Sequence, residues 1–474
     1  MSSPAQEFFR SAVEKSADLA HRQIIRKGID SYNVTFERTR NRYVDWQRAR
    51  QRLYEIKWDA INHLDRYLEE FERNVIARGG KVFWAENSEQ ACRYITDVAL
   101  TNGVKKIVKS KSMVTEEIRL AGAFEKLGIP LIETDLGEYI VWLRHEPPYH
   151  IVTPAMHLTR TQIAELFQEK IGDIHTDDPE QLVAAARRAL RRDFFSADMG
   201  ISGANFLIAD SGMIALTTNE GNGRLCTSVP RIHIAVAGIE KILPRLDQLA
   251  LFWPMLATSG TGQAISCYST LVGGPRKPGE PDGPEEFHVV LVDNGRSELL
   301  ADAEKRDILH CIRCGACLNA CPVFRTVGGH TYGTTYPGPI GSVLTPHLRG
   351  REFDHLSFAS SLCGACTEVC PVKIDLHHRL LENRRDAVNP GAHHGGAHRG
   401  LERFAFAIFR SAALGSGRFA FFGGVARFAL RLLYAVGLRG TALDPGRVWN
   451  KNHAAPAIPS KSFRTLWKDR HGAS

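Results

Sequence analysis

The sequence predicts an α/β domain flanked by helical segments. Three observations support this fold class. Apolar residues such as Val44, Trp46, Leu53 and Ile56 recur at helical spacing within residues 1–75. After Gly79-Gly80, short strand-like runs alternate with helical runs that end at glycine. The segment 401–440 is apolar with isolated arginines. Strands alternating with helices imply a mainly parallel sheet covered on both faces.

The α/β domain is predicted at 76–298, after a helical N-terminal extension at 1–75 that packs on it. Its first four elements are a strand, a helix beginning at Ser88, a second strand, and a second helix with Thr115 as its N-cap. Their predicted ranges are 81–85, 88–103, 105–111 and 115–128. Further along, extended chain is predicted at 130–143, a hairpin at 206–224, and strands within 233–244 and 287–295.

Composition and charge limit the class of protein. With 474 residues, 43% of them hydrophobic and 24% charged, the chain is expected to be globular with two or three domains. The N-terminus has no apolar signal core, so a cytoplasmic location is expected. Residues 391–474 carry 13 Lys and Arg against 3 Asp and Glu, a net +10 beside +8 for the whole chain. The basic character therefore belongs to the tail, and no nucleic-acid partner is expected.

Seven of the ten cysteines fall into two runs with ligand spacing. The first run ends at Cys321-Pro322 and the second at Cys370-Pro371. Tandem thiolates at this spacing suit iron–sulfur clusters better than the single tetrahedral ion of a zinc ribbon. In bacterial two-cluster modules the last cysteine of each run serves the other cluster. Two [4Fe-4S] clusters are therefore predicted within a domain at 299–388, the first held by Cys311, Cys314, Cys317 and Cys370, the second by Cys321, Cys363 and Cys366.

The second run lacks one cysteine. A complete run would have a cysteine three residues before Cys363, where the chain has Ser360. The second cluster is therefore expected to use Ser360, another side chain or solvent as its fourth ligand, or to be a three-iron cluster. The remaining cysteines have no partners at ligand spacing and are expected to be ordinary buried side chains: Cys92, Cys226 and Cys267. An approach of Cys267 to the cluster domain in space is the alternative for that residue.

The C-terminal region is predicted as a linker at 389–400 followed by basic helices at 401–474. The longest charge-free run within 401–440 is 419–426, which is far below the ~20 residues that cross a bilayer. A helical hairpin packed on the protein is one interpretation. A basic, Phe-rich face lying on an anionic membrane is the other. Neither a dinucleotide-binding glycine motif nor a Walker loop is present in the sequence, so hydride chemistry by this chain alone is not indicated.

Several motifs resemble the LutB/LldF-type L-lactate utilisation iron–sulfur proteins. They are KSKSMVTEEI, ETDLGEYIVWL, SGANFLIADSGMIALTTNEGNGRL, HCIRCGACLNACPVFR and SLCGACTEVCPVKIDL, at 109–118, 133–143, 202–225, 310–325 and 361–376. The resemblance covers nearly the whole chain. It implies a lactate-utilisation domain with a NagB/RpiA/CoA-transferase-like fold, then a bacterial ferredoxin-type module. It also implies that the three-cysteine second run is a family feature.

The resemblance implies a function in a complex that oxidises L-lactate to pyruvate. The chain would be its non-catalytic electron carrier and would work beside two partner proteins. The basic tail would contact the inner face of the membrane or a quinone-linked acceptor. Two alternatives remain: the α/β domain itself binds and oxidises lactate with the clusters as acceptors, or the clusters form a redox sensor. Polar residues near predicted strand ends are candidates for a substrate site, with Glu220 as acid or base and Arg224 as carboxylate partner: Lys111, Ser112, Glu133, Asn219, Glu220 and Arg224.

Overall fold

The computed structural model describes residues 3–172, 176–388, 400–444, 447 and 457–472. The chain divides into two compact units, one ending at His394 and the other beginning at Gly395. The predicted linker, 389–400, lies outside the described residues except for Gly400, where a helix begins.

Four N-terminal helices confirm the predicted helical extension. Capping fixes three of their starts, because the side chains of Ser3, Asp18 and Asp45 accept backbone N–H groups of the first turn. Their apolar faces, which include Leu53 and Phe71, are buried in one core that continues into the cysteine domain. The helices are therefore part of the scaffold of the cysteine domain as well as of the α/β domain. They span Pro4–Ala17 (α1), Leu19–Arg40 (α2), Trp46–Asn62 (α3) and Leu64–Ala77 (α4).

The main sheet has six parallel strands and confirms the predicted α/β class. Its order is β1-β10-β7-β4-β2-β3, and every neighbouring pair is parallel, so no two neighbouring strands form a hairpin. The strands are Lys81–Ala85 (β1), Ile107–Lys109 (β2), Leu131–Glu133 (β3), Met199–Ser202 (β4), Ile232–Gly238 (β7) and Glu286–Val292 (β10). A second sheet, β8-β5-β6-β9, contains the predicted hairpin. Its strands are Phe206–Ile208 (β5), Met213–Thr218 (β6), Ile242–Leu243 (β8) and Tyr268–Val272 (β9).

Helices cover both faces of the main sheet, as the pattern predicted. Successive residues of β2 point to opposite faces: Ile107 packs in a core with Ile95 and Phe124, and Val108 in a core with Phe167. The helices of this domain are Ser88–Thr101 (α5), Met113–Glu117 (α6), Leu120–Lys126 (α7), Leu136–Leu143 (α8), Arg160–Lys170 (α9), Pro179–Ser196 (α10), Asn222–Ser228 (α11), Leu249–Thr261 (α12) and Arg296–Ala301 (α13).

Two local predictions were wrong. Residues 136–143 were expected to be extended, but they form α8, because Asp135 caps its first turn and accepts the N–H of Glu138. The single helix expected over 115–128 is two helices separated at Arg119, whose φ is 56°. Ser112, rather than Thr115, is the N-cap of the first of these, since its hydroxyl accepts the Thr115 N–H.

The cysteine domain is built from short helices joined by turns. Its α-helices are Ala316–Ala320 (α14), Phe324–Val327 (α15), Gly338–Arg349 (α16), Ala365–Val369 (α17) and Leu376–Val388 (α18). The second unit contains Gly400–Ala413 (α19), Ser416–Ala435 (α20) and Phe463–His471 (α21). Among the described residues, no helix is both long enough and apolar enough to span a membrane.

Candidate functional site

Four cysteines from the two runs line one pocket. Cys311, Cys314 and Cys317 come from the first run, and Cys370 closes the pocket from the end of the second. The structure thus brings together the four residues predicted to hold the first cluster. None of these cysteines is in a disulfide. The rest of the pocket lining is mostly aliphatic and includes Ile151, Ile312, Ile340, Val372 and Ile374.

The two runs form the same local structure twice. In the first, Arg313 and Gly315 have positive φ angles of 60° and 79° on either side of Cys314. In the second, Leu362 and Gly364 have φ angles of 56° and 80° on either side of Cys363. Each turn starts a five-residue helix, α14 or α17, that ends at the last cysteine of its run. Two residues with left-handed backbone conformation make the loop turn tightly, and this turn places three thiols on one side of the loop.

Backbone N–H groups point at the sulfur atoms. The N–H of Arg313 donates to Cys311 Sγ at 3.4 Å, and the N–H of Ile374 donates to Cys370 Sγ at 3.4 Å. The N–H of Phe324 donates to Cys321 Sγ at 3.5 Å. Such donors stabilise negative charge on sulfur and are one of the ways in which proteins tune bound iron–sulfur clusters. The donor set therefore fits an iron–sulfur cluster.

Burial raises the pKa values of Cys317 and Cys370. It raises the pKa of Cys370 to about 12, and it raises that of Cys317 strongly, with Cys311, Cys314, Cys366 and Cys370 nearby adding further increases. Buried thiols alone resist ionisation, whereas coordination to a metal core stabilises the thiolate. Because the neighbours of Cys317 include Cys366, the two cysteine groups lie side by side.

The second group consists of Cys321, Cys363 and Cys366. Burial raises the pKa of Cys366 to about 11, followed by the proximity of Cys321 and Cys363. Cys363 is exposed, whereas Cys321 and Cys366 are buried. The second group therefore lies nearer the protein surface than the first.

Ser360 occupies the position in the second run that Cys311 occupies in the first. Its hydroxyl accepts the N–H of Leu362 at 3.1 Å, as the sulfur of Cys311 accepts the N–H of Arg313. The carbonyl of Ser360 accepts Nη2 of Arg384 at 2.9 Å, which fixes the backbone at this point. The hydroxyl oxygen of Ser360 therefore has the same relation to its loop as the sulfur of Cys311 has in the first run.

A larger cavity of about 800 Å³ joins the α/β domain to the first cysteine group. Ser110, Asp135 and Gly203, which follow β2, β3 and β4, line one side. Arg313 and Cys314 line another. Ligands of parallel sheets bind beyond the carboxyl ends of the strands, and this cavity lies there.

The sequence-predicted polar candidates divide into two sets. Four of them line the cavity: Lys111, Ser112, Asn219 and Glu220. Glu133 lies outside the lining and forms a buried ion pair with Lys109, O to N 2.9 Å. Arg224 is also outside it, where its Nε donates to Thr270 and its guanidinium stacks on Tyr268.

Glu220 lies beside the start of α8. Its Oε2 accepts the N–H of Leu136 at 2.7 Å. Desolvation, followed by the nearby Asp135 carboxylate, raises the pKa of Glu220 to about 7. A carboxyl group with such a pKa exchanges protons near neutral pH.

Sequence reasoning did not identify Lys241, Arg313, His150 or Asn319, which also line the cavity. Arg313 pairs with Glu240 at 3.2 Å and lies over the Tyr336 ring at 4.4 Å. The only sequence signal for these four residues is that Arg313 and Asn319 lie within the first cysteine run, 311–321.

The other three cysteines are not in either group. Cys226 is buried and Cys92 is half-buried, in keeping with ordinary packing. Cys267 was expected to be buried, but it is exposed, because it directly precedes β9 and only its N–H is engaged, with Asn219 Oδ1. The cysteine pocket does not include it.

Comparison with known proteins gives matches along most of the chain. A family model described as a LUD domain matches residues 68–292, and one described as a 4Fe-4S dicluster domain matches residues 307–374. Lactate utilization protein B of Bacillus licheniformis is 51% identical over 346 residues, which cover 73% of this chain and 72% of that protein. The protein of the same name from Shouchella clausii is 51% identical over 344 residues, 72% of each chain. The one from Bacillus pumilus is 44% identical over 428 residues, 90% of this chain and 89% of its own.

Proposed function

The chain belongs to the lactate utilization protein B family, and from that premise we propose that it is the electron-transfer subunit of a system that oxidises L-lactate to pyruvate. The family membership places it in lactate utilisation, and the 4Fe-4S dicluster domain makes it an iron–sulfur protein. We propose in addition that the chain transfers electrons and that it works beside two partner proteins.

The observation that carries the proposal is the pocket lined by Cys311, Cys314, Cys317 and Cys370. These residues would hold a first [4Fe-4S] cluster, and Cys321, Cys363 and Cys366 would hold a second. When bound, such clusters supply one-electron transfer. The protein contributes the ligands, the N–H donors to sulfur, and an aliphatic wall that limits the access of water.

The two groups would have different tasks because their exposure differs. The first lies against the cavity of the α/β domain, and the second includes the exposed Cys363. Electrons would therefore enter at the first site and leave for a partner at the second. Ser360 would supply the fourth ligand of the second site through its hydroxyl oxygen, with a three-iron cluster as the alternative that iron counts distinguish.

The test uses the full chain, reconstituted anaerobically with iron and sulfide. We expect about eight iron atoms per chain, the sum of two [4Fe-4S] clusters, and a broad visible absorption that dithionite bleaches and a one-electron oxidant restores. L-Lactate alone should neither bleach this absorption nor be turned over. Robust turnover of lactate by the isolated chain would contradict the carrier role, and retention of no iron would contradict the cluster assignment.

The C-terminal unit would bring the protein to the membrane surface, where a quinone-linked acceptor could be reached. Helix α20 exposes Phe419, Phe421 and Phe428, each more than half accessible, and arginines lie along the same helix. An exposed apolar and basic helix binds anionic interfaces by burying its aromatic rings.

Sedimentation of the full chain with phosphatidylglycerol-containing vesicles tests this association. Wild type should sediment with them and not with pure phosphatidylcholine vesicles. A variant with Phe421→Ser and Phe428→Ser should remain in solution. Phe195→Ser, which removes an exposed phenylalanine of α10, is the matched control and should behave as wild type. Equal sedimentation of both variants would contradict the role of α20.

A further inference from the structure

Two histidines and a carboxylate come together where the α/β domain contacts the cysteine domain. Glu146 and His157 lie in the connection between α8 and α9, and His330 begins a 3-10 turn that follows α15. One potential ligand atom from each of the three lies within 4.8 Å of the other two. The ligand atoms of a tetrahedral zinc ion are about 3.4 Å apart, so small side-chain movements would close this set around one ion.

The buried Tyr149 positions the two histidine rings. Its own ring stacks on His157 with centroids 4.6 Å apart and lies T-shaped against His330 at 4.9 Å. Its hydroxyl lies 2.9 Å from Nε2 of His21. Gly329 lets the chain approach this closely, because a Cβ there would be 1.6 Å from the Tyr149 carbonyl oxygen. Packing therefore holds both rings in place before any ion binds.

A hydrogen bond determines which nitrogen of His330 has a free lone pair. Burial lowers the pKa of His330, so its ring is neutral near pH 7. Nε2 of His330 lies 2.8 Å from the carbonyl oxygen of Pro147. A carbonyl only accepts, so Nε2 carries the proton and Nδ1 has the lone pair. Metal-binding histidines donate their second nitrogen to a carbonyl or carboxylate in this way.

The carboxylate of Glu146 lies between a cation and a histidine. Its Oε1 accepts Nε of Arg144 at 2.9 Å, and its Oε2 lies 2.9 Å from Nε2 of His157. Arg144 thus orients the carboxylate with Oε2 toward the histidine. Burial lowers the pKa of His157 to about 4, so this ring is also neutral near pH 7. An ion in place of the proton between Oε2 and Nε2 would bind both atoms.

Two neutral imidazoles and one carboxylate are ligands of Zn²⁺, whereas Ca²⁺ and Mg²⁺ take oxygen ligands. We propose that Glu146, His157 and His330 bind one zinc ion, with water as its fourth ligand. The ion would tie the connection between α8 and α9 to the cysteine domain. The same connection contributes Ile151 to the pocket of the first cysteine group, so the ion would also support the wall of that pocket. This site is independent of the electron-carrier role.

X-ray absorption at the zinc edge tests the site on the full, cluster-loaded chain. The chain is incubated with zinc sulfate and separated from the excess by gel filtration. We expect about one zinc ion per chain, surrounded by nitrogen and oxygen atoms at about 2.0–2.1 Å. Zinc that had entered a cysteine group lacking its cluster would instead show sulfur at about 2.3 Å. Sulfur ligands, or a chain that retains no zinc, would overturn the proposal.

Two variants and a control assign the zinc to these residues. His157→Phe keeps an aromatic ring against Tyr149 but offers no nitrogen, and Glu146→Gln keeps the size of the side chain but loses its charge. Each should bind zinc at least about tenfold more weakly than wild type. His378→Gln, which removes an exposed histidine beside Asp375, should bind zinc as wild type does. Equal zinc binding by all three variants would contradict the assignment.

Iron loss measures the support that zinc gives to the cysteine pocket. Zinc should slow the loss of iron in air from wild type and leave the loss from His157→Phe unchanged. Iron content and bleaching by dithionite are recorded before exposure to air, so a failure to hold clusters is distinguished from a failure to bind zinc. If wild type binds zinc but loses iron at the same rate with and without it, the ion does not support the pocket.

Discussion

The two cysteine groups are built from the same loop but lie in different surroundings. Both use a cysteine between two left-handed residues and a five-residue helix. The first group is closed by aliphatic side chains and faces the α/β cavity. The second includes an exposed cysteine, and a serine stands at the position of its missing cysteine. Ligand spacing is therefore a local property of the sequence. The exposure of each cysteine group to solvent is instead a property of the tertiary structure, and the proposed direction of electron flow depends on it.

A buried ion network lies behind the first group and connects it to the α/β domain. Arg296 is fully buried and pairs with Glu117 of α6 at 2.8 Å and with Glu240 at 2.6 Å. Glu117 also accepts the hydroxyl of Tyr336 at 2.7 Å, and Arg313 lies over that ring. The second group has a simpler support, where Arg384 of α18 donates to the carbonyls of Ser357 and Ser360.

The largest expected effect is the loss of a buried ligand. Cys314→Ala should abolish the first cluster, lower the iron content by about half, and destabilise the domain strongly, since the pocket is enclosed by the core. Cys363→Ala should also lower iron but reduce the melting temperature less, because Cys363 is exposed. Iron and sulfide counts with thermal unfolding measure both. Cys267→Ala, an exposed cysteine outside both groups, is the control, and equal loss of stability in the two ligand variants would remove the distinction.

Much of the fold could be predicted because local patterns determine it. The parallel strands read as short apolar runs, and the hairpin at Asp210-Gly212 follows from its turn residues. Helix α8 was missed because its continuous run of apolar residues, Tyr139 to Leu143, fits a buried strand as well as a helix. Only the cap at Asp135 decides between the two.

The candidate site was less predictable than the fold. The cysteine groups follow from spacing, which is a property of one short stretch of chain. The cavity is assembled from strand ends, α2 and the cysteine domain, so no single stretch contains its pattern. The pairing of Glu240 with two arginines also has no sequence signal, because these arginines lie 56 and 73 positions away.

Disruption of the ion network should have the next largest effect and should separate the two groups. Arg296→Met removes the arginine that pairs with buried Glu117 and leaves buried Glu240 paired with Arg313 alone. This should lower the free energy of unfolding by about 3–5 kcal/mol. The EPR signal of the first cluster should change and that of the second should not. Arg276→Met, which breaks the surface pair with Glu285 at 3.2 Å, should lower that free energy by less than about 1 kcal/mol. A uniform change in both cluster signals would contradict the separate support of the two groups.

The smallest effect on stability, and the sharpest test of the comparison, is expected from Ser360→Cys. Ser360 and Cys311 hold equivalent positions, each accepting the N–H two residues ahead, so a thiol should fit with a change of less than about 1 kcal/mol in the free energy of unfolding. The second group would then have four sulfur ligands.

The rate of iron loss measures this effect, by EPR and iron counts on anaerobic and air-exposed samples. Ser360→Cys should lose iron more slowly than wild type, and Ser360→Ala should lose it faster. Ser361→Cys, at the neighbouring exposed serine, should match wild type. If Ser360→Ala retains iron as wild type does, the fourth ligand is not the Ser360 oxygen, and the second group is completed by another side chain or by solvent, or it holds three irons.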